Sequence, residues 1–209
     1  MSRNTDTLVS LANPALQGLA REKLLARDYE GFLSLFGSHE RLRPLLRLIA
    51  HARLPSAVYW QLVRSVWVNA EVIQPDAAFW LYLLSSRRGE RMAFMTAQEL
   101  KFLNALPAKL TIFRGFSSPE GERGFSWTLS KRKARWFANY SCGGRRALLA
   151  QSAGTLPTVV VATCWKRDVI AYIEERREQE IIILPQNVMP FAGPDPFKNR
   201  RIFQKSQLA

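Results

Sequence analysis

Two glutamates stand one residue apart directly before an apolar run near the end of the chain. In the segment EERREQEIIILP, Glu178 and Glu180 precede the apolar residues 181–184. Because successive side chains of a strand point to opposite faces, a strand here puts both carboxylates on one face, roughly 6 to 7 Å apart. Like charges at that distance repel each other, and a buried carboxylate is costly to keep ionised. The pattern indicates either a solvated strand end, where Arg176 and Arg177 neutralise the acids, or a site that uses two carboxylates.

Two other short motifs carry side chains suited to binding a phosphate or positioning a carboxylate. In TIFRGF, Arg114 ends an apolar strand and Gly115 follows it at once. An arginine offers a planar fork of donors that matches phosphate, and a glycine lets a ligand approach the backbone. In FSWTLS, strand alternation places Ser126 and Thr128 on one face and Trp127 on the other. Each motif alone also fits a solvated strand.

Other catalytic chemistries find little support. The histidines, His39 and His51, both lie in the first half of the chain, away from the motifs above. Cys142 and Cys164 have neither disulfide-framework nor zinc spacing. The sequence contains no G-x-x-x-x-G-K-[ST] or G-x-G-x-x-G motif and no cluster of aspartates that would hold magnesium. We therefore expect no metal, and chemistry done by carboxylate, arginine and hydroxyl.

The charge balance points to polyanionic partners. The 209-residue chain has 30 basic and 17 acidic residues, for a net charge of +13. Residues 131–146 hold six basic side chains and no acid, which indicates either a solvated surface or one that faces phosphates. The N-terminus lacks a long apolar segment and no run is long enough to span a membrane, so we expect a soluble, cytoplasmic protein.

The periodic patterns along the sequence predict the helices and strands that position these motifs, and together they indicate an α+β fold. Apolar spacing of three and four residues predicts helices over residues 15–36, 41–52, 56–73, 75–88 and 100–106, with a capping box formed by Thr96 and Glu99. Strand patterns follow at LTIF, GFSWTLS, PTVVVATCW, VIAYI and EIIILP, and a short helix, KRKARWFANY, lies between the second and third strands. We place a helical domain at 1–106 and a second domain at 107–209, with a basic C-terminal tail. The aromatics of the helical half are predicted to lie in its core: Tyr59, Trp60, Trp67, Phe79, Trp80 and Tyr82.

The ordered set of motifs in residues 109–185 resembles the mono-ADP-ribosyltransferases of the arginine–serine–glutamate class, in the arginine-modifying branch that has a paired glutamate. An apolar strand that ends in Arg-Gly precedes an aromatic-S-W-T strand, a helix with ARWFA, and E-x-E before IIILP. The middle motif departs from the family's frequent S-T-S but keeps both same-face hydroxyls. The segment SCGGRRALLAQSAGTL matches nothing that we can assign, and the acceptor-recognition loop is expected near VIAYIEERR. The resemblance implies a split β-sandwich and does not cover the helical half.

The family's roles carry over residue by residue. Arg114 would hold the phosphate and ribose region of NAD, and Gly115 would offer its backbone to the nicotinamide amide. Ser126 would bond the catalytic Glu180, which binds the nicotinamide ribose and stabilises the cation that forms when the glycosidic bond breaks. Glu178 would orient the acceptor and take its proton. Trp127 and Thr128 complete the cofactor-binding set that we predict.

The resulting hypothesis is an NAD-dependent mono-ADP-ribosyltransferase that modifies arginine of a protein, which could itself be associated with nucleic acid. Its small size and helical N-terminal domain, for target binding or structural support, suggest a monomeric phage or bacterial effector or toxin that acts in the cytoplasm of a host or target cell. Two alternatives stay open. One is a non-catalytic nucleic-acid or protein-binding module on the same fold, and the other is an NAD glycohydrolase that transfers ADP-ribose to water.

Overall fold

The computed structural model describes residues 3–70, 76–116, 124–140 and 158–192. The chain divides into two compact units, Met1–Phe102 and Leu103–Ala209. The sequence placed a domain boundary after residue 106, whereas the units divide within a helix that runs from Ala97 to Ala105. Among the described residues, no helix combines the length and the apolar character that crossing a membrane requires.

The first unit is helical, as predicted. Its helices are α1 (Arg3–Val9), α2 (Gln17–Leu25), α3 (Tyr29–Ser34), α4 (Leu42–His51), α5 (Ser56–Val68), α6 (Ala77–Leu84) and α7 (Ala97–Ala105), the last of which crosses the boundary between the units. The sequence did not predict α1. The segment predicted as one helix over residues 15–36 is two, because Arg27 has a left-handed φ of 57° and the Asp28 carboxylate caps a new helix by accepting from the Gly31 amide at 2.8 Å.

The capping box before α7 is confirmed. The Glu99 carboxylate accepts from the Thr96 amide at 2.8 Å, and the Thr96 hydroxyl accepts from the Glu99 amide at 3.2 Å. Arg64 of α5 binds the same carboxylate through two nitrogens at 2.8 and 3.1 Å. The buried Glu99 therefore both starts α7 and ties it to α5.

Four of the six aromatics predicted for the helical core are buried, and the prediction is wrong for two. Phe79 and Tyr82 of α6 are 45% and 64% exposed, whereas Trp80 between them is buried. The sequence of α6, AAFWLYLL, is apolar on every side, so its pattern does not select a buried face. Trp67 and Trp80 pack edge to face, with ring centroids 4.9 Å apart.

In its described residues, the second unit contains the end of α7, one antiparallel sheet and one further α-helix. Its elements are β1 (Lys109–Phe116), β2 (Ser126–Thr128), α8 (Lys131–Tyr140), β3 (Thr158–Trp165), β4 (Val169–Ile173), β5 (Glu180–Ile183) and β6 (Met189–Pro190). The strand order is β4-β5-β2-β1-β3-β6, and every pair of neighbours is antiparallel. The five predicted strands and the helix are confirmed. The two-residue β6 was not predicted.

Backbone pairing is least extensive in the middle of the sheet, between β1 and β2. β1 and β3 pair over eight residues, but β1 and β2 pair only at Phe113 and Thr128. On the other side of β2, all three of its residues pair with β5. Among the described residues, backbone pairing between the halves β4-β5-β2 and β1-β3-β6 is therefore limited to that one pair.

Helix α8 packs against β1 through small residues. Ala134 and Ala138 lie one turn apart on α8, and both are buried. A Cβ atom on Gly115 would overlap the Ala134 carbonyl and would come within 2.6 Å of the Ala138 amide nitrogen. Gly115 thus lets the helix backbone approach the strand directly.

Candidate active site

The site lies where backbone pairing between β1 and β2 ends, and the Arg114 side chain of β1 reaches β2 there. The Phe125 carbonyl accepts from the Ile183 amide at 3.0 Å and so faces β5. Because successive carbonyls along a strand point to opposite sides, the Ser126 carbonyl faces β1. There it accepts a hydrogen bond from Nη1 of Arg114. The guanidinium joins the strands where backbone pairing has ended.

Gly124 provides the space that the guanidinium occupies. A Cβ atom at this position would overlap the end of the Arg114 side chain, coming within 2.6 Å of Nη1. Burial lowers the pKa of Arg114 to about 10, and the Glu180 carboxylate acts in the opposite direction by favouring the charged form. The guanidinium is therefore protonated at neutral pH, with an acidic side chain near enough to influence it.

Ser126 and Glu180 form the central contact of the site. The Ser126 hydroxyl donates to Oε1 of Glu180 at 2.5 Å. In the pairing of β2 with β5, Thr128 lies opposite Glu180 and Ser126 lies opposite Ile182, so Ser126 and Glu180 are diagonal neighbours on one face. Glu180 is also paired with Ile173 of β4. The Ser126 hydroxyl orients the Glu180 carboxylate, and the neighbouring strands β2 and β4 hold the Glu180 backbone.

Thr128 contacts the segment that precedes β5. Its hydroxyl donates to the Glu178 carbonyl at 2.6 Å and accepts from the Ser130 amide at 3.0 Å. The neighbouring Leu129 amide donates to the Gln179 carbonyl at 3.0 Å. The predicted shared face of Ser126 and Thr128 is confirmed, and each hydroxyl bonds a different part of the Glu178–Glu180 segment.

The prediction that Glu178 and Glu180 lie on one strand and share its face is wrong. β5 begins at Glu180, and Glu178 ends a 3₁₀ turn formed by Glu175–Arg177. Arg177 and Gln179 have left-handed φ angles of 54° and 49°, so the backbone between the glutamates is not extended. The alternation rule does not apply, although both glutamates remain partly exposed beside the end of β2.

Trp127 does not join Ser126 and Glu180. It is buried on the opposite face of β2, and its indole nitrogen donates to the Gly124 carbonyl at 3.0 Å. Trp127 therefore supports the backbone on which Arg114 rests, and its place among the cofactor-binding side chains stays a prediction. The missing side chain of Gly115 serves the packing of α8, a reason for this glycine that sequence reasoning did not find.

Sequence reasoning also missed two positioning contacts. Gly124 stands two residues before Ser126, but only the folded chain brings it against Arg114. The buried Tyr172 of β4 donates its hydroxyl to the Glu174 carboxylate, at the start of the segment that leads to Glu178. A tyrosine one residue before the end of a buried strand, with two glutamates directly after that strand, was the sequence signal for the second contact.

The described residues contain no group of three or more His, Cys, Asp or Glu side chains that could hold a metal ion. Cys164 is buried, and burial raises the pKa of its thiol to about 11, so it is held as the unreactive neutral form. The arrangement instead offers one partly exposed cation, one carboxylate oriented by a hydroxyl, and a second carboxylate two residues away. These groups can bind an anion and stabilise a developing positive charge.

Comparisons of the chain with protein-family models, with curated proteins and with solved structures found no match.

Proposed function

We propose that this protein is an NAD-dependent mono-ADP-ribosyltransferase that modifies an arginine side chain of a protein. The observation that carries the proposal is the contact of Arg114, Ser126 and Glu180, which lie as far as 66 residues apart in the chain and meet through two hydrogen bonds. These three residues were predicted together from the sequence motifs. Their convergence is what a shared active site requires.

The architecture is compatible with the split β-sandwich that we propose for the second unit. Among the described residues, backbone pairing between its two three-stranded halves is limited to Phe113 and Thr128. The proposed cleft for NAD opens at that junction, where Arg114 and Glu180 belong to different halves of the sheet. Partial exposure of both side chains keeps them within reach of a ligand.

In the proposed reaction Arg114 holds the phosphate and ribose region of NAD, since its fork of donors matches phosphate oxygens. The bond between C1′ of the ribose and the nicotinamide nitrogen breaks, and its electron pair leaves with neutral nicotinamide. The ribose becomes an oxocarbenium-like cation. The Glu180 carboxylate stabilises this charge as it forms, and the Ser126 bond fixes the carboxylate in advance.

The acceptor side of the reaction is assigned to Glu178. An arginine guanidinium is a poor nucleophile because it stays protonated. A carboxylate that orients it and takes one proton as its nitrogen bonds to C1′ makes attack possible. The proton then passes to water, and the products are ADP-ribosylated arginine and nicotinamide. We propose the cytoplasm as the place of this reaction.

The test is incubation of the purified protein with NAD labelled in the adenylate part, in the presence of a cell lysate. Label on a protein, removed by Glu180→Gln, supports the transferase. Label found only in free ADP-ribose would make the protein an NAD glycohydrolase, and no consumption of NAD would leave a binding module. A matched control is Asp168→Asn, which removes one acidic charge elsewhere in the second unit. It should leave the labelling unchanged.

A further inference from the structure

The end of β2 holds the segment before β5 at two consecutive carbonyls. The Thr128 hydroxyl donates to the carbonyl of Glu178 at 2.6 Å, and the Leu129 amide donates to that of Gln179 at 3.0 Å. Thr128 is 3% exposed, so water does not readily replace its hydroxyl in this contact. The same hydroxyl accepts from the amide of Ser130, whose own hydroxyl accepts from the Lys133 amide in the first turn of α8.

The segment held in this way has an uncommon backbone conformation. Arg177 and Gln179, on either side of Glu178, both have left-handed φ angles, which residues other than glycine adopt at a cost in free energy. Such a conformation persists only when surrounding contacts impose it. At the other end of the segment, the contact between Tyr172 and Glu174 provides a second anchor.

We infer that Thr128 is a positioning residue that holds Glu178 for the acceptor through its backbone carbonyl, and that it governs transfer of ADP-ribose separately from cleavage of NAD. This inference rests on the proposed function and extends it. Thr128 acts through Glu178 and need not touch NAD.

The separation follows from what holds each glutamate. Glu180 is held by the Ser126 hydroxyl and by backbone pairing with β2 and β4, none of which uses the Thr128 side chain. Glu178 lies outside the strand, and the Thr128 hydroxyl bonds its carbonyl. Removing that hydroxyl therefore removes one of the two hydrogen bonds from the end of β2 to this segment and leaves the bonds of the Glu180 carboxylate in place.

The first experiment compares Thr128→Val, which keeps the branched shape but lacks the hydroxyl, with Thr128→Ser, which retains it. Two rates are measured with NAD: hydrolysis to free ADP-ribose, and transfer to agmatine, a small guanidine acceptor. Thr128→Val should lower transfer on the order of 10- to 100-fold, because a displaced catalytic group loses that much. Hydrolysis should fall less than transfer in Thr128→Val, and Thr128→Ser should retain both rates.

The second experiment uses no NAD. Hydrogen–deuterium exchange of the amides in residues 174–180 should become faster in Thr128→Val than in the unchanged protein and in Thr128→Ser, because the anchor of the segment is lost. Exchange in β3, which the Thr128 hydroxyl does not contact, is the internal control and should not change.

The outcomes separate this inference from the proposed function. An unchanged protein that neither hydrolyses NAD nor modifies agmatine contradicts the proposed function itself. If the unchanged protein is active, an equal loss of hydrolysis and transfer in Thr128→Val overturns the inference, and so does exchange that Thr128→Val does not alter. Hydrolysis of NAD without any modification of agmatine by the unchanged protein also overturns it.

Discussion

Each of the three side chains that meet at the junction of the sheet has a different task in the proposed site. The Arg114 guanidinium bridges to the Ser126 carbonyl, and the Ser126 hydroxyl orients Glu180. Ser126 therefore contacts both charged groups, one through its backbone and the other through its side chain. At this scale the function depends on charge and on donor geometry, both of which single substitutions can remove without a large change of shape.

The two glutamates should respond differently to loss of charge. Glu180→Gln keeps an oxygen that can accept from Ser126 but removes the negative charge, so transfer and hydrolysis should both fall, on the order of 10² to 10³-fold if the contact is worth as much as an oxyanion-hole donor. Glu178→Gln should abolish transfer to arginine and retain slow hydrolysis, because water needs no oriented guanidinium. Nicotinamide release and mass spectrometry of the modified target measure the two effects. Equal losses in both variants would contradict the division of roles.

Arg114 should not be replaceable by lysine. Lysine keeps the positive charge but lacks the planar fork of donors that binds the Ser126 carbonyl and matches phosphate. Loss of one charge-assisted hydrogen bond costs about 1.5 to 3 kcal/mol, so Arg114→Lys should weaken NAD binding about tenfold or more in calorimetry. Arg167→Lys, at an exposed arginine of the same unit, is the matched control. NAD affinity unchanged by Arg114→Lys would remove Arg114 from the site.

At the scale of elements, two glycines allow close approach for different reasons. Gly115 faces the backbone of α8, which cannot move without displacing the helix, and Gly124 faces the end of the flexible Arg114 side chain. Adding one methyl group should therefore destabilise the fold at Gly115 and impair NAD binding at Gly124.

Gly115→Ala should lower the free energy of unfolding by about 1 to 3 kcal/mol or more, the usual range for overpacking. Gly124→Ala should displace the guanidinium, weaken NAD binding and leave the melting temperature nearly unchanged. Thermal unfolding and calorimetry on both variants give the comparison. If Gly124→Ala lowered the free energy of unfolding as much as Gly115→Ala does, the Arg114 side chain would be unable to move to another rotamer, contrary to this prediction. Exposed Gly89, which has no atom within 4 Å of an added Cβ, is the control position.

Helix α8 presents basic and aromatic side chains away from β1. Arg132 and Trp136 are exposed, Lys131, Lys133 and Arg135 are partly exposed, and the Lys133 ammonium lies 5.3 Å from the centre of the Trp136 ring. The opposite side of the helix, with Ala134 and Ala138, is buried. Arg145 and Arg146, the other cations of the predicted basic surface, lie outside the described residues. The surface is suited to an anionic partner, and it also fits a solvated helix.

Salt dependence distinguishes these two interpretations. If α8 contacts phosphates, binding of a single-stranded oligonucleotide should weaken as salt rises, and Arg132→Gln should reduce the slope of log K against log salt by about 0.7. Arg53→Gln, at an exposed arginine of the first unit, should leave the slope unchanged. Binding that does not depend on salt, or that Arg132→Gln does not affect, would favour a solvated helix.

At the scale of the whole molecule, the chain consists of two units with separate cores. The first is built around Tyr59, Trp60 and Trp80, and the second around the apolar strands β4 and β5. All residues of the proposed site belong to the second unit. The proposed reaction requires no side chain of the first unit. We therefore propose that this unit recognises the target or supports the fold.

NAD should therefore stabilise one unit selectively. A ligand at 100 times its Kd adds about 2.7 kcal/mol to the free energy of unfolding of the structure that binds it. Hydrogen–deuterium exchange with saturating NAD should slow in residues 109–116, 126–128 and 180–183, while amides in α5 and α6 keep their rates. Glu180→Gln, which keeps Arg114 and Ser126, serves to observe the complex with little turnover. Equal protection of α5 and α6 would show that the units are coupled.

Local patterns in the sequence determined most of the elements and selected the residues of the proposed site. Strand β5, helix α8 and the capping box of α7 were predictable because hydrophobic period and capping depend on residues within one or two turns. The order of Arg114, Ser126 and Glu180 along the chain was likewise visible. These features need no knowledge of which elements pack together.

Only the tertiary structure decided the exposure of Phe79 and Tyr82, the packing of Gly115 and Gly124, and the position of Glu178. An apolar helix such as α6 carries no signal for its buried side, and a glycine does not reveal which atoms will approach it. Glu178 leaves the strand because Arg177 and Gln179 turn the backbone. Thr128 and Leu129 hold that turn from 50 residues earlier in the chain. Alternation along a strand is a local rule, whereas the hydrogen bonds that end the strand here come from a distant part of the chain.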